Sequence, residues 1–321
     1  MMSTLRSKYG YAFSPFVLVV ILLAVNASVG STFLDPANWN ALVIGAAPLV
    51  ILGMAQTAPV ISGGGGIDLS IGPLVGLVNV VVATVLTGYG WTDPARTLLV
   101  VIGIGVASGL INGLLVAVVR LQPIIATLAT YLAYQGLTLQ IQPVAGGASP
   151  PWLHFLATTH AGIPGLVFLV LLIALAWVAL KRTAFHRNLL AVGGDARAAF
   201  TAGVDVTFVR VSAYVIAGVL AALVGMAFTG IMGSGDPKID TSFTLTSISA
   251  VALGGVSLAG GRGGMLGSAL AGALLFLIQN LFTIAHISVF YLQIFYGLIV
   301  LAALAFSSFS GSMGARTTLK T

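Results

Sequence analysis

The chain has 321 residues, of which 58% are hydrophobic and only 6% charged, with a mean hydropathy of +1.10. Soluble domains carry about 25% charged residues, and a soluble fold of this length could not cover itself with so few, so the composition points to an integral membrane protein. The net charge of +6 does not signal nucleic acid, because the basic residues sit between apolar runs, and the lack of cysteine excludes disulfides, thiolate metal sites and a cysteine nucleophile.

In chain order, residues 1–12 form a polar, basic tail with Arg6 and Lys8. The first apolar run, Phe13–Val29, has two readings: a signal peptide cut near Ala27 and Val29, or a first membrane span. Nothing downstream resembles a secreted domain, which favours the span. Further runs of roughly the length needed to cross the hydrocarbon core are Trp39–Ile61, Ile67–Thr87, Thr97–Val119, Pro123–Ile141, Pro164–Leu180, Val211–Met232, Met265–Ala285 and Val289–Phe309. A shorter run, Phe243–Leu258, is polar at its start and reads as re-entrant or tilted. The expectation is an all-α membrane protein: a polytopic bundle of about ten transmembrane helices with broken or re-entrant glycine-rich segments. The transmembrane body covers residues 13–309, and 310–321 is a second tail.

The positive-inside rule tests this count. With ten crossings and a cytoplasmic N-terminus, Arg6, Lys8, Arg120, Lys181, Arg182, Arg187, Arg197, Arg210, Arg262, Arg316 and Lys320 fall inside, and only Arg96 and Lys238 fall outside. Both termini are then cytoplasmic. Nine crossings would put the C-terminal charges outside. Trp39, Trp91 and Trp152 sit at span ends, as interfacial aromatics do.

The interval 182–210 is the longest one that water favours. It carries Arg182, Arg187, Arg197 and Arg210 with Asp195 and Asp205 between them. It reads either as a loop that merely follows charge topology or as a docking surface for a soluble partner. Nucleotide chemistry on this chain is disfavoured, because a P-loop needs G-x-x-x-x-G-K-[ST] and none of the four lysines follows a glycine. His154, His160, His186 and His286 are scattered, so metal or nucleophilic catalysis has no support.

Two glycine clusters interrupt apolar runs. The first, SGGGGIDLSIGPLVG from Ser62 to Gly76, holds Gly66, Asp68 and Ser70. An intramembrane carboxylate is a functional-site hypothesis; the plainer reading is a cytoplasmic turn in which Asp68 accepts from the N–H of Ser70 or Ile71. The second, Ala250–Gly267, holds Gly255, Gly261 and Arg262 and reads as a hinge, a gate or a partner contact. Polar residues also lie inside spans: Gln56, Asn79, Asn112, Gln135, Gln279, Asn280 and Gln293. Interhelical hydrogen bonds explain most residues of this kind; a path for a polar, uncharged solute would use them too. No charged pair in mid-span offers a proton relay or a sodium site.

These stretches resemble a family, the ribose-type permease subunits of ATP-binding-cassette (ABC) importers. Gly65–Gly72, GGIDLSIG, is similar to that family's GGIDLSVG, and Ala250–Gly263, AVALGGVSLAGGRG, to AVVLGGTSLAGGRG. Gly194–Val204 follows the loop pattern G-x-N-x-x-A-A-R-x-x-G-I/V, with Asp195 where Asn is usual and Phe200 near a common basic position. Arg120–Leu128 resembles R-x-x-x-F-I-A-T-L. The resemblance spans roughly 40–305 with its motifs in order.

The resemblance implies a transmembrane permease subunit of a bacterial inner membrane, surrounded by lipid. It would pair with a second permease copy, identical or a sister, to form the path of a monosaccharide. No cofactor is expected on this chain; ATP and Mg²⁺ belong to partner ATPase subunits docking on 182–210, and a periplasmic sugar-binding protein meets the outer loops. Arg187, Gly193, Gly194, Asp195, Arg197 and Gly203 are the coupling candidates, with the glycines allowing close approach. The alternatives are a permease for a nucleoside, an autoinducer or an amino acid, a secondary carrier working alone, and a structural membrane protein.

Overall fold

Inside a bilayer, backbone N–H and C=O groups must be satisfied within the protein, which leaves helices or closed barrels. This chain uses helices. A computed structural model of the protein describes residues 10–30, 33–239, 242–288 and 290–301. The helices are α1 (Phe13–Val29), α2 (Trp39–Ile61), α3 (Ile71–Val80), α4 (Pro94–Ala117), α5 (Pro123–Ile141) and α6 (Gly165–Lys181). Then follow α7 (Ala184–Gly194), α8 (Ala196–Thr201), α9 (Val206–Met232), α10 (Phe243–Leu253), α11 (Met265–Ile284) and α12 (Phe290–Leu301). A single turn at His154–Ala157 and a two-residue strand pair, Thr159–His160 with Ile163–Pro164, lie between α5 and α6.

Among the described residues, six helices are long and apolar enough to cross a membrane. A seventh candidate is the pair α6–α7, bent by 78° at its break. Three apolar helices are shorter: Ile71–Leu86, Phe243–Leu253 and Phe290–Leu301. The molecule is an all-α, multi-pass membrane protein. The run expected at Val289–Phe309 is described only as far as Leu301; the rest of it and the tail 310–321 lie outside the described residues, as do residues 1–9 of the first tail.

Several boundaries differ from the sequence reading. Helix α4 begins at Pro94 because Asp93 caps it, accepting from the N–H of Arg96 at 3.0 Å, with proline in the first helical position. Helix α9 begins at Val206, where Asp205 accepts from the N–H of Phe208 at 2.9 Å. Arg210 therefore stands on a long helix and not in a loop. The span expected from Ile67 becomes helical only at Ile71, because residues 62–70 form a turn. The first apolar run is part of the packed body: Asn26 of α1 is buried and donates to the carbonyl of Leu277 on α11 at 3.2 Å.

Glycine sets the packing distances. Helix α4 carries Gly105, Gly109 and Gly113 on one stripe, pressed on α9. A Cβ at Gly109 would lie 2.3 Å from Cα of Val215, and one at Gly113 2.7 Å from Cα of Val211. Gly272 on α11 meets the Leu49 carbonyl of α2 in the same way. Such small-residue contacts hold helices together in lipid, where burial of apolar surface gives little drive. Outward faces are apolar: Leu172 and Leu175 of α6 are 64% and 67% exposed.

Candidate functional site

Three glycine-rich backbones meet at one end of the bundle. Helix α7 is amphipathic; His186, Leu189 and Val192 are buried while Arg187 is exposed. Its last residues, Gly193 and Gly194, lie between the turn 62–70 and the turn 254–264. A Cβ at Gly193 would lie 1.8 Å from the carbonyl oxygen of Ile61 and 2.6 Å from the nitrogen of Gly261. One at Gly260 would lie 2.4 Å from Cα of Gly63, and one at Gly261 2.6 Å from Cα of Gly194. The N–H of Gly261 donates to the Ile61 carbonyl at 3.0 Å. Gly63 and Gly260 also have φ of +76° and +97°, a region that side chains disfavour. The two glycine clusters, far apart in the chain, thus grip one helix end.

The first turn is fastened from four helices. The Gln56 amide pairs with the backbone of Asp68, its nitrogen 3.1 Å from the carbonyl and its oxygen 3.0 Å from the N–H. Asp68 Oδ1 accepts from the N–H of Ser70 at 2.9 Å and from its hydroxyl at 2.7 Å. Asn112 of α4 donates to Ser70 Oγ at 2.8 Å, and Thr130 of α5 donates to Asn112 Oδ1 at 2.7 Å. Thr244 of α10 donates to the Leu69 carbonyl at 3.0 Å. Asp68 does receive the Ser70 N–H, as a capping reading requires. The turn differs from a simple exposed hairpin in that Asp68 is only 2% exposed. Gln56, Asp68, Ser70, Asn112 and Thr130 are joined in one chain of hydrogen bonds, which holds the turn in one geometry.

The two short helices α7 and α8 are built by capping. Asp195 Oδ1 accepts from the N–H groups of Arg197 and Ala198 at 2.9 and 3.0 Å, ending α7 and starting α8. His186 packs edge-on against Trp177 of α6, ring centroids 5.3 Å apart. Burial, aided by the charge of Lys181, holds its imidazole below the ordinary histidine pKa. Exposed Arg187, Arg197, Phe200 and Arg262 surround the junction. Gly203 meets no atom of this chain, since a Cβ there finds nothing within 4 Å, and its φ of +83° suits glycine to the turn. Close approach at the first glycine pair is made by Gly193, since a Cβ on Gly194 also finds open space. Gly66 is held by Pro59, whose carbonyl oxygen lies 2.2 Å from its would-be Cβ, and Gly255 by Tyr11 in the same manner.

The polar residues inside the spans divide. Gln56 and Asn112 belong to the turn just described. Asn79 ties α3 to the opposite end of the bundle, donating to Thr229 Oγ1 at 3.0 Å and accepting from the N–H of Asp236 at 2.7 Å. Asn280 donates to Asn26 Oδ1 at 2.8 Å. Gln279 and Gln293 instead line one cavity of about 290 Å³, with Ser242, Thr246 and Tyr296. Gln135 is half-buried on α5, away from that cavity.

The opposite end holds a junction that the sequence reading missed. Residues Val81–Leu86 form a π-helical turn, and the Ala83 carbonyl accepts from the N–H of Ala148 at 2.9 Å. Gln142 donates to the Gly235 carbonyl at 2.8 Å and receives the Thr84 hydroxyl. Gly146 and Gly235 pair as an isolated antiparallel bridge. The wider i→i+5 spacing of a π turn has no signature in composition.

The chain has recognisable relatives. It is 34% identical over 301 residues to the ribose import permease protein RbsC of Bacillus subtilis, covering 92% of this chain and 91% of that one. It is 36% identical over 270 residues to the fructose import permease protein FrcC of Rhizobium meliloti, covering 81% and 74%. It is 31% identical over 305 residues to the D-allose transport system permease protein AlsC of Escherichia coli, covering 93% and 90%. No solved structure matches the chain. Residues 38–304, which contain the gripped helix end and both glycine turns, match the family described as the branched-chain amino acid transport system / permease component, and the chain belongs to that family.

Proposed function

We propose that this chain is the transmembrane permease subunit of an ABC importer, forming the path of a monosaccharide across a bacterial inner membrane. The observation that carries the mechanism is the junction: Gly193 touches both glycine turns, so a displacement of α7 is passed to α2–α3 and α10–α11 together. The relatives' names, ribose, fructose and D-allose permeases, support a monosaccharide as cargo.

The power stroke in this reading is supplied by a separate ATPase that binds ATP and Mg²⁺ and docks on residues 182–210, where Arg187, Asp195 and Arg197 are exposed. A second permease copy completes the path, and a periplasmic sugar-binding protein delivers cargo to the far end. The basic residues support this orientation. Arg120, Lys181, Arg182, Arg187, Arg197, Arg210 and Arg262 all stand at the junction end, whereas Arg96 and Lys238 stand at the other. Counting the six long helices, α6 of the bent pair and the three shorter helices as crossings gives ten, with α7 at the cytoplasmic face and both termini cytoplasmic. Residues 13–309 then form one permease domain between two tails. Closure of the ATPase moves α7 and α8 as rigid pieces and rocks the hairpins attached to them. Gln279, Gln293, Thr246 and Ser242 offer hydrogen bonds suited to sugar hydroxyls in the 290 Å³ cavity.

Reconstitution with the cognate ATPase and binding protein in liposomes tests the reading. Sugar uptake should require ATP on the side of the junction and stop when the ATPase is omitted. Uptake by the chain alone, driven by an ion gradient, would overturn it.

A further inference from the structure

A groove of about 730 Å³ lies beside the junction, between the turn joining α4 to α5 and the start of α9. Arg120, Arg197 and Arg210 line it together with Val116, Ala117 and Leu121. No acidic side chain lines it, and among the described residues none of these three arginines forms a salt bridge. The nearby carboxylates are turned elsewhere, since Asp195 and Asp205 cap helices through backbone N–H groups. The Nε–H of Arg210 is buried and donates no hydrogen bond among the described residues. Its guanidinium reaches Gly64, whose would-be Cβ lies 3.2 Å from it, so the groove floor is the first glycine turn. Arg120 adopts a φ of +64°, a left-handed conformation that residues other than glycine disfavour. Strain of this kind at a charged position is a pointer to function.

The groove continues into an exposed apolar face. Leu114, Val118 and Val119 on one side and Ile124 and Ile125 on the other are all 45–59% exposed. A ligand with a negative head and a hydrocarbon body matches both parts. We infer that the groove binds an anionic phospholipid of the adjacent leaflet, its phosphate held by Arg120 and Arg210 and its acyl chains lying along α4 and α5. Basic pockets between helices at the cytoplasmic face hold such headgroups. The bound lipid joins the α4–α5 turn to α8 through Arg197. An acidic segment of the ATPase is the competing occupant, but it offers nothing to cover Val118, Val119, Ile124 and Ile125. The inference rests on the proposed orientation only in naming the leaflet.

Native mass spectrometry of the purified chain, released from vesicles of equal phosphatidylglycerol and phosphatidylcholine without ATPase, tests it. Phosphatidylglycerol should be retained in preference to phosphatidylcholine. The double variant Arg120→Gln/Arg210→Gln should lose about twenty-fivefold of that preference, at about one factor of five per arginine near a membrane surface. Ala117→Trp, which fills the groove without changing charge, should lose retention too. Retention unchanged in both variants overturns the site. Displacement of the lipid by millimolar inorganic phosphate would show a free-anion site and overturn the lipid assignment. In a separate pull-down with the cognate ATPase, loss of co-purification in the double variant, with lipid retention intact, would give the groove to the ATPase and overturn the lipid assignment. Because the lipid assay contains no ATPase, lipid retention stands or falls separately from ATP-driven uptake.

Discussion

A single methyl group decides whether three backbones can meet at the junction. In Gly193→Ala the new Cβ overlaps the Ile61 carbonyl at 1.8 Å, so turn and helix must separate. Overpacking of this kind costs about 1–3 kcal/mol. The variant should still insert in the membrane, but its complex with the ATPase should hydrolyse more ATP per sugar imported, measured side by side in liposomes. Gly203→Ala meets no atom and bears only the left-handed backbone penalty, about 1–2 kcal/mol. It should lower thermal stability slightly and leave coupling intact; an uncoupled Gly203→Ala with a coupled Gly193→Ala would refute the junction. At Asp68, alanine leaves the N–H and the hydroxyl of Ser70 without their acceptor, a loss of about 1–3 kcal/mol. Asp68→Ala and Asn112→Ala should be non-additive in a double-mutant cycle on melting temperature, since both act in one network. His186 adds a pH effect. Its lowered pKa means that the unfolded chain takes up the proton first as pH falls, so the folded state loses stability below about pH 6.5. A His186→Leu variant should flatten that part of the stability profile. The Asp68–Ser70 bond was legible from two residues in sequence. The burial of Asp68 was one of two readings, and the sequence did not choose between them, because the partner Asn112 stands 44 positions away.

At the scale of elements, hydropathy found the cores of the helices and capping chemistry placed their ends. A scan for apolar runs starts α9 at Val211, since Arg210 interrupts the pattern. Asp205 reveals the true start, and an aspartate followed by a helix-forming stretch is a readable signal. The stripe Gly105, Gly109, Gly113 was also readable, being two consecutive G-x-x-x-G repeats. It predicts opposite outcomes on one helix. Gly109→Ala presses a Cβ to 2.3 Å from Val215 and should lower the melting temperature in detergent, whereas Gly103→Ala faces open space and should raise it. Alanine gains about 0.5–1 kcal/mol over glycine inside a helix. The short helices were harder to read. Helix α10 stops at Leu253 because the glycine turn begins there, and α3 loses regularity in its π turn. In both cases the interruption is held by distant partners that no local window contains.

For the molecule as a whole, composition was enough to establish an all-α membrane protein, and the motifs were enough to indicate its family. The meeting of both glycine clusters on α7 was not readable, because it is a contact among three segments. Charge asymmetry between the ends gives a test at this scale. A photoreactive cross-linker at position 197 should capture the ATPase, and one at position 238 should capture the external binding protein. The opposite pairing would turn the molecule over. The contact at Gly193 also bears on how transport proceeds in time. Two hairpins seized by a common tip have no means of advancing one after the other. A half-shifted conformer should therefore be absent, and single-molecule distance records from either hairpin should switch between two levels in synchrony.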